Sequence, residues 1–168
     1  MTGKTTLAYS YLTRPDTAFN PDGVFKTDFK MGAEDAKSLI AEMRSVAEEA
    51  FGKDAAKIAL PFKVDPDSGE YVFKVKSKYQ PRFVNAAGQN VDAATMPPVY
   101  GGSTARIAGS IQSYDKSGNK GITLQLAAVQ IVDLAERQGG ANFEAVEGGS
   151  FIAANDNSEA GDGANYNF

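Results

Sequence analysis

The chain has 168 residues, 17 Lys and Arg against 21 Asp and Glu, and neither cysteine nor histidine. Its length suits a single domain with a real core, and its apolar and charged fractions, 42% and 23%, are those of an ordinary globular protein. Lacking Cys and His, it cannot build disulfides, thiolate metal sites, zinc fingers, zincins or hydrolase triads.

LAYSYLTRPDTAFNPDGVFKTDFKM contains two extended segments split by loop punctuation, with turns expected at Arg14-Pro15-Asp16 and at Asn20-Pro21-Asp22-Gly23. VFKTDFKM alternates with period two and predicts a strand with Phe25 and Phe29 facing inward. Over residues 33–58 the period changes. Ala36, Leu39, Ile40, Met43, Val46, Ala47, Ala50 and Phe51 form a helical stripe, with Glu34 and Asp35 favouring the N-terminal end and Gly52 an interruption. VDPDSGEYVFKVKSKYQ reads as a hairpin with Tyr71, Phe73 and Val75 on one face and Lys74, Lys76 and Lys78 on the other. A turn is expected at residues 86–90, then a strand with Ile107 and Ile111 inward, a loop at residues 115–121 and a long last strand. In that strand Ile122, Leu124, Leu126, Val132 and Leu134 share one parity while Val129 and Ile131 take the other, so a bulge or burial on both faces is expected.

Five to seven strands and one helix predict a mainly β fold: a small closed barrel capped by a helix, of which the OB-fold is one member, or a β-sandwich with an inserted helix. No run of eighteen apolar residues exists, and MTGKTTLAYSYL lacks the long apolar stretch of a secretory signal, so a cytoplasmic protein is expected. Charge is unevenly spread. From residue 138 onward there is no Lys or Arg but five acids, Glu144, Glu147, Asp156, Glu159 and Asp162, which leaves the body 17 basic against 16 acidic residues. A mildly basic body with an acidic end suits a nucleic-acid binder with a self-regulating tail.

The lysine ladder KVKSK repeats an ammonium about every 6.6 Å along one strand face, near the phosphate spacing of an extended single strand. An edge strand defended by lysine has the same pattern. Tyr79, Arg82 and Phe83 follow the ladder, and Arg106 shares strand parity with Tyr114, which precedes Lys116. Cations that track a backbone, interleaved with rings that stack on bases, hold single-stranded nucleic acid without reading its sequence. Phe83 reads better as core than as a stacking ring. GKTT lacks the upstream glycines of a phosphate loop, and DKSGNKG lacks the carboxylates of a calcium loop; the latter is a hairpin loop offering Lys116 and Lys120.

YSYLTRPD with NPDGVFKTDF, the helix, FKVKSKY, GGSTARIAGSIQSY, GITLQLAAVQIVDL and an end running from FIAANDNS to Phe168 resemble, in order and spacing, the single-stranded DNA-binding proteins of short-tailed (T7-like) bacteriophages. The resemblance implies a five-stranded OB-fold barrel with one capping α-helix and a flexible acidic C-terminal tail. It implies coating of single-stranded DNA in phage replication, recombination and repair, and strand annealing. Residue by residue, it gives Tyr114 the stacking position, Arg106, Lys74 and Lys76 basic positions, and Arg14 the basic place in the Pro-Asp corner. It gives Phe168 dimer contacts and docking to the phage DNA polymerase and helicase–primase. Thr104 and Ala108 are neutral where the family is richer in lysine, and the tail is less acidic, with Asp156, Glu159 and Asp162 after Phe151.

The expectation is therefore a non-enzymatic, cofactor-free protein with a DNA-binding domain at residues 1–138 and a tail at residues 139–168. Arg14, Lys74, Lys76, Lys78, Tyr79, Arg82, Arg106, Tyr114 and Lys116 would meet DNA, and Asp156, Glu159, Asp162, Tyr166 and Phe168 would meet the groove or a partner. Two rivals stand beside it. A carboxylate-metal enzyme would need clustered acids, whereas Asp28, Asp92 and Asp133 are scattered; a virion or protein-interaction module would use the ladder for solubility alone.

Overall fold

Leu7 and Leu12 are both buried although they lie five residues apart, which a regular strand cannot achieve because its faces alternate. The first strand, β1 (Thr5–Asp16), resolves this with a bulge: Leu7 pairs with Phe29 and Tyr9 with Asp28, so Ala8 is the extra residue. Beyond it Ser10 and Leu12 point inward and Tyr9 and Tyr11 outward. The computed structural model describes residues 1–136, and Met1–Ala135 forms one compact unit. Asp156, Glu159, Asp162, Tyr166 and Phe168 lie outside the described residues, as does the expected boundary at residue 138.

Strand β2 (Val24–Met31) returns antiparallel to β1 and places Thr27, Phe29 and Met31 in the interior. Phe25, opposite Ser77 at the end of the β2–β4 pairing, is only half-buried. Helix α1 (Ala33–Phe51) follows, burying Ala36, Met43 and Ala47, with Leu39, Ile40, Val46 and Phe51 packed around them. Ala50, expected on the stripe, is exposed. Gly52, at φ 52°, ends α1, and a 3-10 turn (Gly52–Lys57) completes the connection.

Strands β3 (Phe62–Val64) and β4 (Tyr71–Ser77) form the expected hairpin, and β4 also pairs antiparallel with β2. Short strands β5 (Arg82–Val84) and β6 (Asn90–Val91) flank the expected turn. Strands β7 (Thr104–Lys116) and β8 (Asn119–Asp133) make a long hairpin. The sheet order is β3-β4-β2-β1-β7-β8-β5-β6, and a parallel β4–β8 pairing closes β4-β2-β1-β7-β8 into a ring. A mainly β, five-stranded, helix-capped ring of this kind is an OB-fold barrel. Phe29 and Phe73 stack at its centre with ring centroids 5.4 Å apart.

Several expectations need correction. Among the described residues there are eight strands; three have only two or three residues, too short to leave a pattern. Arg14-Pro15-Asp16 ends β1 rather than forming a turn; Pro15 fits because the pairing with β2 is irregular between Tyr11 and Asp16, where no ladder donor is needed. The turn itself uses Gly23, at φ 75°, whose N–H donates to the carbonyl of Asn20. The supposed loop at residues 115–121 is a two-residue turn, Ser117 and Gly118, both with positive φ, and its flanks remain paired from Lys116↔Asn119 to Tyr114↔Gly121. On β8 the expected bulge occurs: Ala108 pairs with Ala128 and Gly109 with Leu126, leaving Ala127 over. Burial changes parity there, so Val129 and Ile131 are in the core while Val132 is half-buried and Leu134 exposed.

Candidate nucleic-acid interface

The outer faces of β2 and β4 meet through the pairs Lys26↔Lys76 and Asp28↔Lys74. On one side these rows continue to β1, where Tyr11 pairs with Lys26 and Tyr9 with Asp28. On the other, Lys76 pairs with Gln125 of β8, which pairs with Ser110 of β7. One row thus reads Tyr11, Lys26, Lys76, Gln125, Ser110 across all five ring strands. It exists because the charged residues Lys26, Asp28, Lys74 and Lys76 alternate with the core residues Thr27, Phe29, Phe73 and Val75.

Lys74 and Lys76 project from β4 as expected, about 6.6 Å apart. The third member of the ladder does not: β4 ends at Ser77, whose Oγ accepts the Tyr79 N–H at 3.0 Å and turns the chain away. Lys78 and Tyr79, the latter 77% exposed, therefore sit at the corner where Phe25 opposes Ser77 and Gln80 Nε2 donates to the Leu12 carbonyl at 3.5 Å. That corner carries Arg14 and the β1–β2 loop, where the Phe19 ring is 98% exposed. At the other end the β7–β8 hairpin tip bears Lys116 and Tyr114, whose ring lies directly over Gly121.

None of these cations, Lys74, Lys76, Lys78, Lys116 and Arg14, is neutralised by an ion pair among the described residues, a state they share with Lys53, Lys63, Arg44, Arg82 and Arg106. Lys4, Lys26, Lys30, Lys37, Lys57 and Lys120 are in ion pairs. Lys120, expected beside Lys116, has the opposite strand parity; it reaches Asp54 at 3.6 Å and lies over the Phe51 ring. Arg106 stands eight residues from Tyr114 along β7, about 26 Å, on the row with Gln130. Arg82 pairs with Ala128 nearby. The structure thus brings Lys74 and Lys76 onto one face, with Lys78, Tyr79 and Arg14 at one end and Tyr114 and Lys116 at the other, and leaves Arg82 and Arg106 apart.

Three residues on this face escaped the sequence reading. Tyr9 and Tyr11 lie with ring centroids 5.1 Å apart and their hydroxyls hydrogen-bonded at 3.2 Å, and the Lys26 ammonium sits 5.8 and 5.5 Å from the two centroids. Lys26 is also ion-paired with Asp16, which holds the Asp16 carboxyl below its ordinary range, helped by the Ala18 N–H. Donating its hydroxyl proton to Tyr11 raises the Tyr9 hydroxyl above its ordinary value. Only the conflict of parity between Leu7 and Leu12 could have signalled that the two tyrosines face outward. Asp28, Asp92 and Asp133 remain scattered on β2, after β6 and at the end of β8, and no group of three or more acids suited to a metal occurs among the described residues.

No family model and no curated protein matches the sequence. Solved structures do. The crystal structure of gp2.5, a single-stranded DNA-binding protein encoded by bacteriophage T7, matches with a TM-score of 0.67 at 22% identity, covering 86% of this chain and 96% of that one. The single-stranded DNA-binding protein from bacteriophage Enc34 matches with a TM-score of 0.66 at 18% identity, over 84% of each chain. The same Enc34 protein in complex with single-stranded DNA matches with a TM-score of 0.60 at 19% identity, over 81% of this chain and 86% of that one. The chain shares the helix-capped OB fold of these bacteriophage proteins.

Proposed function

We propose that the protein binds and coats single-stranded DNA with little sequence preference, as a non-enzymatic component of phage replication, recombination and repair that also promotes annealing. The observation that carries this reading is the outer face of β2 and β4, where Lys74 and Lys76 have no ion pair among the described residues and exposed tyrosines lie to either side. In OB folds the face of the second and third barrel strands, with the loops joining strands one to two and four to five, is where oligonucleotides lie. Here those strands are β2 and β4, and those loops bear Phe19 and the Tyr114–Lys116 tip. The fold shared with proteins described as single-stranded DNA-binding adds support.

In this reading Lys74, Lys76, Lys78, Lys116 and Arg14 meet phosphates, Tyr114 and Tyr79 stack on bases, and Arg82 and Arg106 meet DNA only where it extends past the central face. The acidic end, with Asp156, Glu159, Asp162, Tyr166 and Phe168, competes for the basic face, docks the phage polymerase and helicase–primase, and makes dimer contacts. The protein works in the cytoplasm of the infected cell. A titration of labelled oligo-dT at several salt concentrations tests the reading. Single strands bind more tightly than duplex, with log K falling linearly against log salt; undetectable binding at about 50 mM salt rejects it. Tyr114→Ala weakens binding by about 1–3 kcal/mol at an unchanged salt slope, and Lys76→Ala lowers the slope by about one unit.

A further inference from the structure

The basic face holds one lysine unlike its neighbours. Lys74 and Lys76 have no ion pair among the described residues, but Lys26, paired across the strands with Lys76, is fully engaged. Its ammonium lies against the π faces of Tyr9 and Tyr11 and is neutralised by Asp16. Asp16 is itself fixed: its Oδ1 accepts the Ala18 N–H at 2.9 Å, and its side chain is only 11% exposed. The bulge at Ala8 puts both rings on the outside, and their mutual tilt of 59° with the hydroxyl–hydroxyl bond fixes one against the other. Tyr9 remains 50% exposed, whereas the rings of Phe29, Phe73 and Phe83 are closed off in the core. An exposed ring whose orientation is fixed by a hydrogen bond, a cation and a carboxylate loses little freedom when a flat apolar ligand settles on it.

Resting on the reading of this face as a DNA-binding surface, we propose that Tyr9 is a stacking subsite for a nucleobase, and that Lys26 and Asp16 are positioning residues that hold the Tyr9–Tyr11 pair. Lys26, at the centre of the basic face, then meets no phosphate. The ligand is any base, because all four present a π face. Neutralisation within the protein also means that Lys26 releases no counterions when DNA binds, so it contributes affinity without contributing to the salt dependence.

The test uses the full chain and labelled oligo-dT at four or more salt concentrations. Tyr9→Leu lowers affinity about 5- to 150-fold with an unchanged salt slope, the range of one ring–base stack. Tyr9→Phe, which keeps the ring but loses the bond to Tyr11, loses clearly less than Tyr9→Leu. The double variant Asp16→Asn/Lys26→Met removes the ion pair at constant net charge; it weakens binding at an unchanged slope, and Lys26→Arg retains the wild-type affinity. Thermal unfolding of each variant identifies loss of fold, and the Phe and Arg variants keep the comparison interpretable where the harsher ones unfold. A Tyr9→Leu effect below about twofold overturns the stacking subsite. A slope lowered by about one unit in the double variant makes Lys26 a phosphate contact and overturns the positioning role. If wild type fails to bind oligo-dT at all, the reading of the face falls first and this inference with it.

Discussion

Tyr114 owes its place to an atom that is missing opposite it. A Cβ on Gly121 would overlap the Tyr114 ring, coming 2.7 Å from its Cε1 and closer still to Cζ and Oη. No torsional demand explains this glycine, because Gly121 is not among the residues with positive φ. Its role is to leave room for the ring on the adjacent strand. Gly121→Ala should therefore push Tyr114 off its seat and weaken oligo-dT binding by about 1–3 kcal/mol, matching Tyr114→Ala, while the salt slope stays unchanged. The pair forms a cycle: once Tyr114 is Ala, adding Gly121→Ala should cost nothing further in binding. Independent losses that sum would show that the ring stacks on nothing or that Gly121 acts elsewhere.

At the scale of elements, the β3–β4 turn is tied to β2 by Lys30, whose ammonium donates to Asp65 at 2.8 Å. The same carboxylate accepts the Asp67 N–H, and together these hold Asp65 down to about 2, below the ordinary carboxylate value, while the carboxylate raises Lys30 above its ordinary value. A lowered acid stabilises the fold above its unfolded value and loses that contribution as pH falls through its folded one; a raised lysine loses it as pH rises through its own. Asp65→Asn keeps the turn acceptor but removes the charge. Wild type should exceed it in urea midpoint between about pH 5 and 9, and the gap should close toward about pH 2. A gap that persists in acid would place the benefit in the turn rather than the ion pair. This tie was unreadable in the sequence, since nothing in DPDSGE says that Lys30 lies alongside. The same limit applied to the face. The β4 ladder was legible because KVK alternates on a regular strand. Tyr9 and Tyr11 were not, because one extra residue at Ala8 moved them to the other side. Lys78 was misplaced because strand ends are set by local hydrogen bonds, here Ser77 to Tyr79. The helix and the β8 bulge were legible: an eight-member stripe outlasts local noise, and apolar residues on both parities of one strand demand a break.

For the whole molecule, if the basic face binds DNA as proposed, the balance of charge sets how fast the strand arrives rather than how the chain folds. The full chain carries −4, and the five acids from residue 138 onward, with no Lys or Arg among them, account for the sign; without them the count is 17 basic against 16 acidic, or +1. Met1–Ala135 forms a compact unit whose ring is closed within it, by Thr5↔Ala105 and Thr6↔Thr104 on one side and Val75↔Leu124 and Lys76↔Gln125 on the other. A chain stopped after Arg137 should accordingly keep its unfolding midpoint. It should also associate with oligo-dT several-fold faster at about 20 mM salt, because steering by net charge is strongest where the Debye length is longest. Near 1 M salt that length shrinks to about 3 Å and the two rates should converge. A separate deletion of residues 165–168 removes Tyr166 and Phe168 but no acidic side chain. If the acidic end acts on DNA through charge alone, this deletion leaves the association rate at the full-chain value. If the two rings compete for the seats that bases take, it slows release of the oligonucleotide instead, at every salt concentration. Stopped-flow association and dissociation on the three chains separate these outcomes, and identical rates for all three would remove the acidic end from the DNA-binding function altogether.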